Sequence, residues 1–183
     1  MYGGGTIGAG VYDLIMERLG GNSISNPALR QPNKPPCVIK KICLRDLNKN
    51  HQFHINSTET ELVTDFNSIL DDEEIDLVVE VMGGTGLAKT VVLESLRRGK
   101  SVVTANSFLV AENLNEIHEV LLSNRKVTFA YEGAVCGGIP IIQTMQTCFS
   151  GDAIQEIMVR RSSKVKSKFL KRGLTISSYQ MVF

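Results

Sequence analysis

The sequence has little of what marks a secreted, membrane-bound or metal-stapled protein. Its four cysteines (Cys37, Cys43, Cys136, Cys148) are scattered over 183 residues without a C-x-x-C pair. That excludes a small disulfide framework and makes reduced thiols in an intracellular protein the expectation. His51, His54 and His118 stand at no metal-ligand spacing with those cysteines. No apolar run approaches the ~20 residues of a membrane span. The start, Met1-Tyr2-Gly3-Gly4-Gly5, lacks the basic and apolar regions of a secretory signal. These absences predict a cytoplasmic chain, with plastid import left open for a leader lying upstream.

Charge excludes less by its sum than by its distribution. The net charge is +1, with 20 basic and 19 acidic residues. Residues 159–183 carry seven of the basic ones (Arg160, Arg161, Lys164, Lys166, Lys168, Lys171, Arg172) and no acid, which leaves 13 basic against 19 acidic, or −6, in 1–158. No RNA-binding pattern or amphipathic anchor accompanies the basic tail, so neither nucleic acid nor a membrane is the expected partner. The composition is otherwise that of a globular chain, 43% hydrophobic and 21% charged. Asp71-Asp72-Glu73-Glu74 reads as a solvated acidic loop.

What is present is an alternation of periods. Ile7, Val11, Leu14, Ile15 and Leu19 recur at helical spacing until Gly20-Gly21 ends the run. A loop rich in Asn, Ser and Pro, Asn22 to Pro36, reads as a surface insertion. Cys37 to Leu44 reads as a strand, as does the apolar run from Ile75 to Val81, whose composition suits a buried parallel strand. Met82-Gly83-Gly84 turns into a helix from about Leu87 to Arg98, capped by Gly99-Lys100. Strand Ser101–Thr104 follows, then a helix with Val110, Leu114, Ile117 and Leu121 on one face. Strand Val127–Tyr131 and a helix from about Pro140 to Phe149 complete the pattern. Strands alternating with helices predict an α/β fold with a mostly parallel sheet and right-handed crossovers.

The motifs fall where such a sheet binds ligands. Gly3-Gly4-Gly5-Thr6-Ile7-Gly8 fits G-x-G-x-x-G at the opening of the first helix. There Gly3 makes a tight turn, Gly5 admits a pyrophosphate to the backbone and Gly8 packs helix on strand. Alone the pattern is weak, and a flexible glycine tract is the alternative. The helix behind it and the strand ending in Arg45-Asp46 strengthen it, because the adenosine ribose is read at that strand end. Arg45 and Lys49 suit a 2′-phosphate and hence NADP, whereas Asp46 suits a free ribose hydroxyl and hence NAD. Gly83-Gly84 and Val103-Thr104-Ala105-Asn106 both lie at carboxyl ends of predicted strands, where open α/β sheets bind their ligands.

These motifs, with Ile75 to Gly84 and Glu132-Gly133-Ala134-Val135-Cys136-Gly137-Gly138-Ile139-Pro140-Ile141-Ile142, together resemble the homoserine dehydrogenase family over residues 3 to about 158. The resemblance implies a Rossmann-like doubly wound parallel sheet and NADP or NAD as cofactor. It implies interconversion of homoserine and aspartate 4-semialdehyde, on the route to threonine, methionine and isoleucine, by a homo-oligomer. It places Thr6 and Ile7 at the dinucleotide phosphates and Gly83 and Gly84 beside the cofactor, with Thr104 and Asn106 nearby. It also places a sodium ion on the backbone carbonyls of Glu132, Val135, Gly137 and Ile139, at the turn that joins the cofactor domain to the catalytic one.

Three departures accompany the resemblance. Only Met1 and Tyr2 precede the glycines, so the first strand is expected to be missing, which exposes two strand edges. The family carries lysine directly after Thr-Ala-Asn, where this chain has Ser107. A hydroxyl supplies neither a cation for a developing alkoxide nor an ammonium proton, so no residue is assigned a catalytic role. After Gln155-Glu156-Ile157-Met158 the family continues into its α+β substrate domain, whereas this chain switches to Val159-Arg160-Arg161-Ser162-Ser163. The expected division is a cofactor domain over 1–150, the start of a hinge over 151–158 and a disordered basic tail over 159–183. That tail resembles a wrong reading frame, a retained intron or an alternative exon. The 183 residues by themselves are expected to be inactive, and a non-catalytic dinucleotide-binding or interaction fragment is the alternative.

Overall fold

The structure is a computed structural model that describes residues 1–18, 37–48, 55, 58–151 and 153. The Asn22–Pro36 loop, Lys49, His51, His54 and the 159–183 tail lie outside the described residues. The chain divides into two compact units, Met1–Gly138 and Ile139–Phe183.

In the first unit the elements run α1 (Thr6–Arg18), β1 (Lys41–Cys43), β2 (Glu61–Val63), α2 (Asn67–Leu70), β3 (Leu77–Glu80), α3 (Gly86–Arg97), β4 (Ser101–Thr104), α4 (Ser107–Ser123) and β5 (Phe129–Ala130). A 3-10 turn, Glu132–Ala134, follows. The strands pair in parallel, β1 with β2, β3 with β4 and β4 with β5. In the second unit the described helix is α5, Ile141–Cys148. Strand β2 and helix α2 are too short to show a period of their own and have no counterpart in the sequence reading. No helix among the described residues is long and apolar enough to cross a membrane.

No full strand precedes the glycine turn among the described residues, yet the sheet is continuous there. Tyr2 forms parallel bridges to both Cys43 and Glu80. Its N–H donates to the Val79 carbonyl at 2.8 Å and its carbonyl accepts from Val81 N–H at 2.9 Å. On the other side Cys43 N–H donates to the Met1 carbonyl at 2.8 Å and Gly3 N–H to the Cys43 carbonyl at 3.1 Å. Two residues therefore satisfy both flanking edges locally, where exposed edges were expected. The strand order is β2, β1, Tyr2, β3, β4, β5, so succession reverses direction at Tyr2. Tyr2 is fully buried, and its hydroxyl donates to the Phe66 carbonyl at 2.7 Å. Burial lifts the Tyr2 phenol and the neighbouring Cys43 thiol above their ordinary pKa values, so both stay neutral at this seam.

The alternation of strand side chains builds a separate core on each face. Cys43, Val78 and Val102 meet Val91, Val92 and Leu96 of α3 and Leu109, Ile117 and Val120 of α4. Ile42, Leu44, Val79 and Val81 meet Met1 and, from α1, Ala9 and Tyr12. Each such aliphatic side chain contributes about 1.5–3 kcal/mol when fully buried. Helix α3 ends in a Schellman motif: Gly99 at φ +81 lets its N–H reach the Leu96 carbonyl and Lys100 N–H reach that of Ser95. Glycine is required there because a side chain is strained at that φ.

The inward face of α1 differs from the periodicity reading. Ile7 and Leu14 are 56% and 49% exposed, whereas Ala9 and Tyr12 are buried. The cause is local: the glycine turn brings Gly8 against its own backbone, which fixes the rotation of the helix and turns Ile7 outward. On α4, Val110 and Ile117 face inward as expected while Leu114 is 38% exposed.

Candidate functional site

The carboxyl ends of Tyr2, β3 and β4 gather the sequence motifs. At the first of them the surface is made of backbone. Gly3 sits at φ +106, and a Cβ there would come 2.7 Å from the Val81 carbonyl oxygen. Gly8 is buried, and a Cβ on it would collide with the Gly3 carbonyl. Gly5 faces open space, with nothing within 4 Å of an added Cβ. Gly5, Thr6 and Ile7 are exposed where α1 begins, so the positive end of the helix dipole lies beside a bare stretch of chain. Absence of side chains on one side and contact between backbones on the other are the conditions for a pyrophosphate cradle. The described residues fit a dinucleotide.

At β3 and β4 the surface is held by side chains. Glu80, last in β3, is fully buried. Its carboxylate accepts from Thr104 Oγ1 at 2.6 Å, from Met82 N–H at 2.9 Å and from Asn106 Nδ2 at 3.4 Å. Thr104 is 1% exposed, and its hydroxyl oxygen accepts in turn from Asn106 N–H at 3.0 Å. Asn106 caps α4: its Oδ1 accepts from Leu109 N–H at 3.2 Å, while its Nδ2 donates to the Gly84 carbonyl at 2.7 Å. Asn106 thereby ties the turn after β3, with Gly83 and Gly84 at φ +77 and +74, to the start of α4. Sequence reading placed Thr104 and Asn106 here but assigned no role to Glu80.

A groove of about 170 Å³ lies over these ends, lined by Ile7, Val81, Gly83, Ala105, Asn106, Ser107 and Phe108. Ser107, the first residue of α4, is exposed in it. None of the lining side chains is ionisable, so the groove itself offers no proton donor or acceptor of suitable pKa. A larger cavity, about 390 Å³, lies at the opposite ends of β3 and β4 among Asp71, Glu73, Asp76, Arg98 and Lys100. Its cations are engaged structurally: Arg98 pairs with Asp71, and Lys100 Nζ donates to the Asp72 and Ile75 carbonyls at 2.6 and 2.9 Å. The chemistry of the sheet favours the smaller groove.

The remaining candidates are placed as follows. Arg45 is exposed just beyond β1, next to Asp46, whose Oδ1 accepts from Asn48 N–H at 2.9 Å. Among the carbonyls expected at a sodium ion, that of Glu132 accepts from Val135 N–H at 3.1 Å, and that of Ile139 accepts from Ile141 N–H at 2.8 Å. Glu132, Val135 and Gly137 belong to the first unit and Ile139 to the second. Cys136 and Gly137 are both in the left-handed region, at φ 56 and 60. No group of three or more His, Cys, Asp or Glu suited to a metal occurs among the described residues.

Comparison with known proteins agrees with this geometry. Residues 3–131 match the family model described as homoserine dehydrogenase, NAD binding domain. The chain belongs to the homoserine dehydrogenase family. A homoserine dehydrogenase of Lactococcus lactis is 35% identical over 156 residues, covering 85% of this chain and 35% of its own. One from Bacillus subtilis is 32% identical over 158 residues, covering 86% and 34%. The crystal structure of a homoserine dehydrogenase from Thiobacillus denitrificans superposes with a TM-score of 0.64 at 30% identity, over 83% of this chain and 33% of that one. One from S. aureus gives 0.63 at 31%, over 73% and 32%. The chain thus spans about a third of the length of the curated relatives it matches. What it shares with other homoserine dehydrogenases is the oxidoreductase family's NAD(P)-binding, Rossmann-like part, a parallel α/β sheet with helices on both faces.

Proposed function

We propose that the 183 residues form the cofactor-holding part of a homoserine dehydrogenase, the enzyme that interconverts homoserine and aspartate 4-semialdehyde in amino-acid biosynthesis. The observation that carries this reading is the glycine turn at the seam of the sheet. There Gly3 and Gly8 are required by backbone contact, and Gly5 is left open beside a helix N-terminus. Gly3, Gly5, Thr6, Ile7 and Gly8 would hold the pyrophosphate, and Arg45 would approach the adenosine ribose. Gly83, Gly84, Thr104 and Asn106 would frame the other half of the cofactor. When bound, the dinucleotide supplies the hydride chemistry. The chain's own groups bind and orient it.

In this reading 1–150 is the cofactor domain, and the α+β substrate domain and the homo-oligomeric assembly belong to the full-length family. Proton handling does not belong to the groove in this chain. Ser107 occupies the position where the family resemblance expects lysine, and no ionisable group lines the groove. The isolated polypeptide is therefore expected to bind NADP or NAD without turning over homoserine. A second reading, a dinucleotide-binding module with no chemistry of its own, is favoured by that same lack of ionisable groups.

Calorimetric titration of the 183-residue chain with NADPH and with NADH tests the binding. Saturable heats are expected, and none at millimolar cofactor would overturn the assignment. Reduction of NADP in the presence of homoserine, above a protein-free control, would refute the inactivity. An Arg45→Ala variant that weakens NADPH and spares NADH places the 2′-phosphate at Arg45. Equal effects on both cofactors remove it from that role.

A further inference from the structure

We propose that Glu80 is the positioning residue of the nicotinamide half of the site, setting how far the Gly83–Gly84 turn stands from the start of α4. This rests on the cofactor-binding reading above. A carboxylate with no exposure is unfavourable in a core unless its oxygens are fully hydrogen-bonded, and an aliphatic residue would fill the same space more readily. Among the described residues no Lys or Arg pairs with Glu80. All three of its donors instead come from the end of β4 and from the two segments that follow β3 and β4 toward the groove: Thr104 Oγ1, Met82 N–H and Asn106 Nδ2.

The proton inventory makes the arrangement directional. The only hydroxyl proton of Thr104 goes to Glu80, which leaves a lone pair for Asn106 N–H. The Asn106 amide is then oriented at both ends. Its NH2 faces Glu80 and the Gly84 carbonyl, and its oxygen faces the first turn of α4. Two successive glycines at positive φ leave the turn no side chains to anchor it, and the Asn106 bridge to Gly84 ties it to the start of α4. Since succession in the sheet reverses at Tyr2, the α1 side is one mononucleotide half and the β3–β4 side the other. The loops that Glu80 joins therefore meet the nicotinamide riboside end and not the adenosine end.

The test compares two ligands on the full 183-residue chain: NADPH, and 2′-phospho-ADP-ribose, which lacks the nicotinamide ring. Glu80→Gln keeps the shape but leaves one of the three donors facing an NH2. Asn106→Ser keeps a helix cap and removes the bridge to Gly84. Each variant is expected to weaken NADPH about tenfold while 2′-phospho-ADP-ribose stays within about twofold. The enhancement of reduced-nicotinamide fluorescence on binding should fall in parallel. Equal weakening of both ligands would overturn the proposal, because a merely structural carboxylate loosens the whole domain. Unchanged NADPH affinity would overturn it as well. Should Glu80→Gln fail to fold by circular dichroism, Asn106→Ser decides by the same ratio. Wild-type protein that binds neither ligand overturns the cofactor reading, and the positioning role with it.

Discussion

The two halves of the sheet reach the same end, a rigid edge for a ligand, by opposite means. On the Tyr2–α1 side rigidity comes from having no side chains: Gly8 lies against the Gly3 carbonyl and Gly3 against the Val81 carbonyl, backbone on backbone. On the β3–β4 side it comes from a buried carboxylate that gathers Thr104, Asn106 and the Met82 N–H. The first device tolerates no added atoms. The second tolerates any change that preserves donors and acceptors. The halves should therefore fail differently when mutated, one by steric exclusion and one by unsatisfied hydrogen bonding.

The largest effect is expected where backbone meets backbone. Gly8→Ala forces α1 away from the turn, because the atom in its way is a main-chain oxygen and cannot rotate aside. A loss of about 3 kcal/mol in chemical denaturation is expected, the upper end of what overpacking costs, with cofactor binding lost alongside. A neutral result would mean that the turn is looser than these contacts imply. Glu80→Leu comes next. It leaves the Thr104 hydroxyl and the Met82 N–H without their shared acceptor in a buried place, at about 1–3 kcal/mol. The double variant Glu80→Leu, Thr104→Val removes a donor along with its acceptor and should recover part of that loss. Failure to recover it would show that the network is not the source of the penalty. Ser107→Lys is smaller still. The residue is exposed at the first turn of α4, where a cation opposes the helix dipole by about 0.3–1 kcal/mol. A larger loss in thermal unfolding would mean that Ser107 is more tightly held than its exposure implies.

The difference between the halves also governs what can be read from the sequence. A backbone device leaves glycines at fixed spacing, so Gly3, Gly5 and Gly8 are legible from the sequence alone. The strands at Leu77–Glu80 and Ser101–Thr104 are legible from their apolar runs, and the Schellman end of α3 from Gly99-Lys100. A side-chain device leaves no such trace. Glu80 reads as one acid among 19 in the chain, and only the pairing of β3 with β4, which sets Glu80 opposite Thr104, shows what it binds. The orientation of α1 escapes for a related reason. Its hydrophobic period is shared between an inward face and an outward one, and contact at Gly8, not apolar content, settles which is which. Strand β2 and the Tyr2 bridges depend on pairing partners distant in sequence.

The smallest expected effect concerns the join between the halves at the far ends of the strands. Asp72, in the loop before β3, takes Lys40 Nζ and Lys41 Nζ at 2.8 Å each, so the chain entering β1 is tied to the chain entering β3. Hydrogen bonds from Lys40 and then Lys41 hold the Asp72 carboxyl well below its ordinary value of 3.8. A carboxyl with a folded-state pKa below its unfolded one contributes stability that is complete above the unfolded value. That stability is lost as the pH falls toward the folded value. Wild type should therefore exceed Asp72→Asn at neutral pH by a modest margin, since Lys40 is 39% exposed and solvent screens its pair with Asp72. The margin between the two proteins should begin to narrow as the pH falls below about 4, the ordinary carboxyl value, and go on narrowing with further acidification. Thermal unfolding of both along that range is the measurement. A margin that does not narrow at all as the pH falls would mean that Asp72 acts through packing or through its backbone.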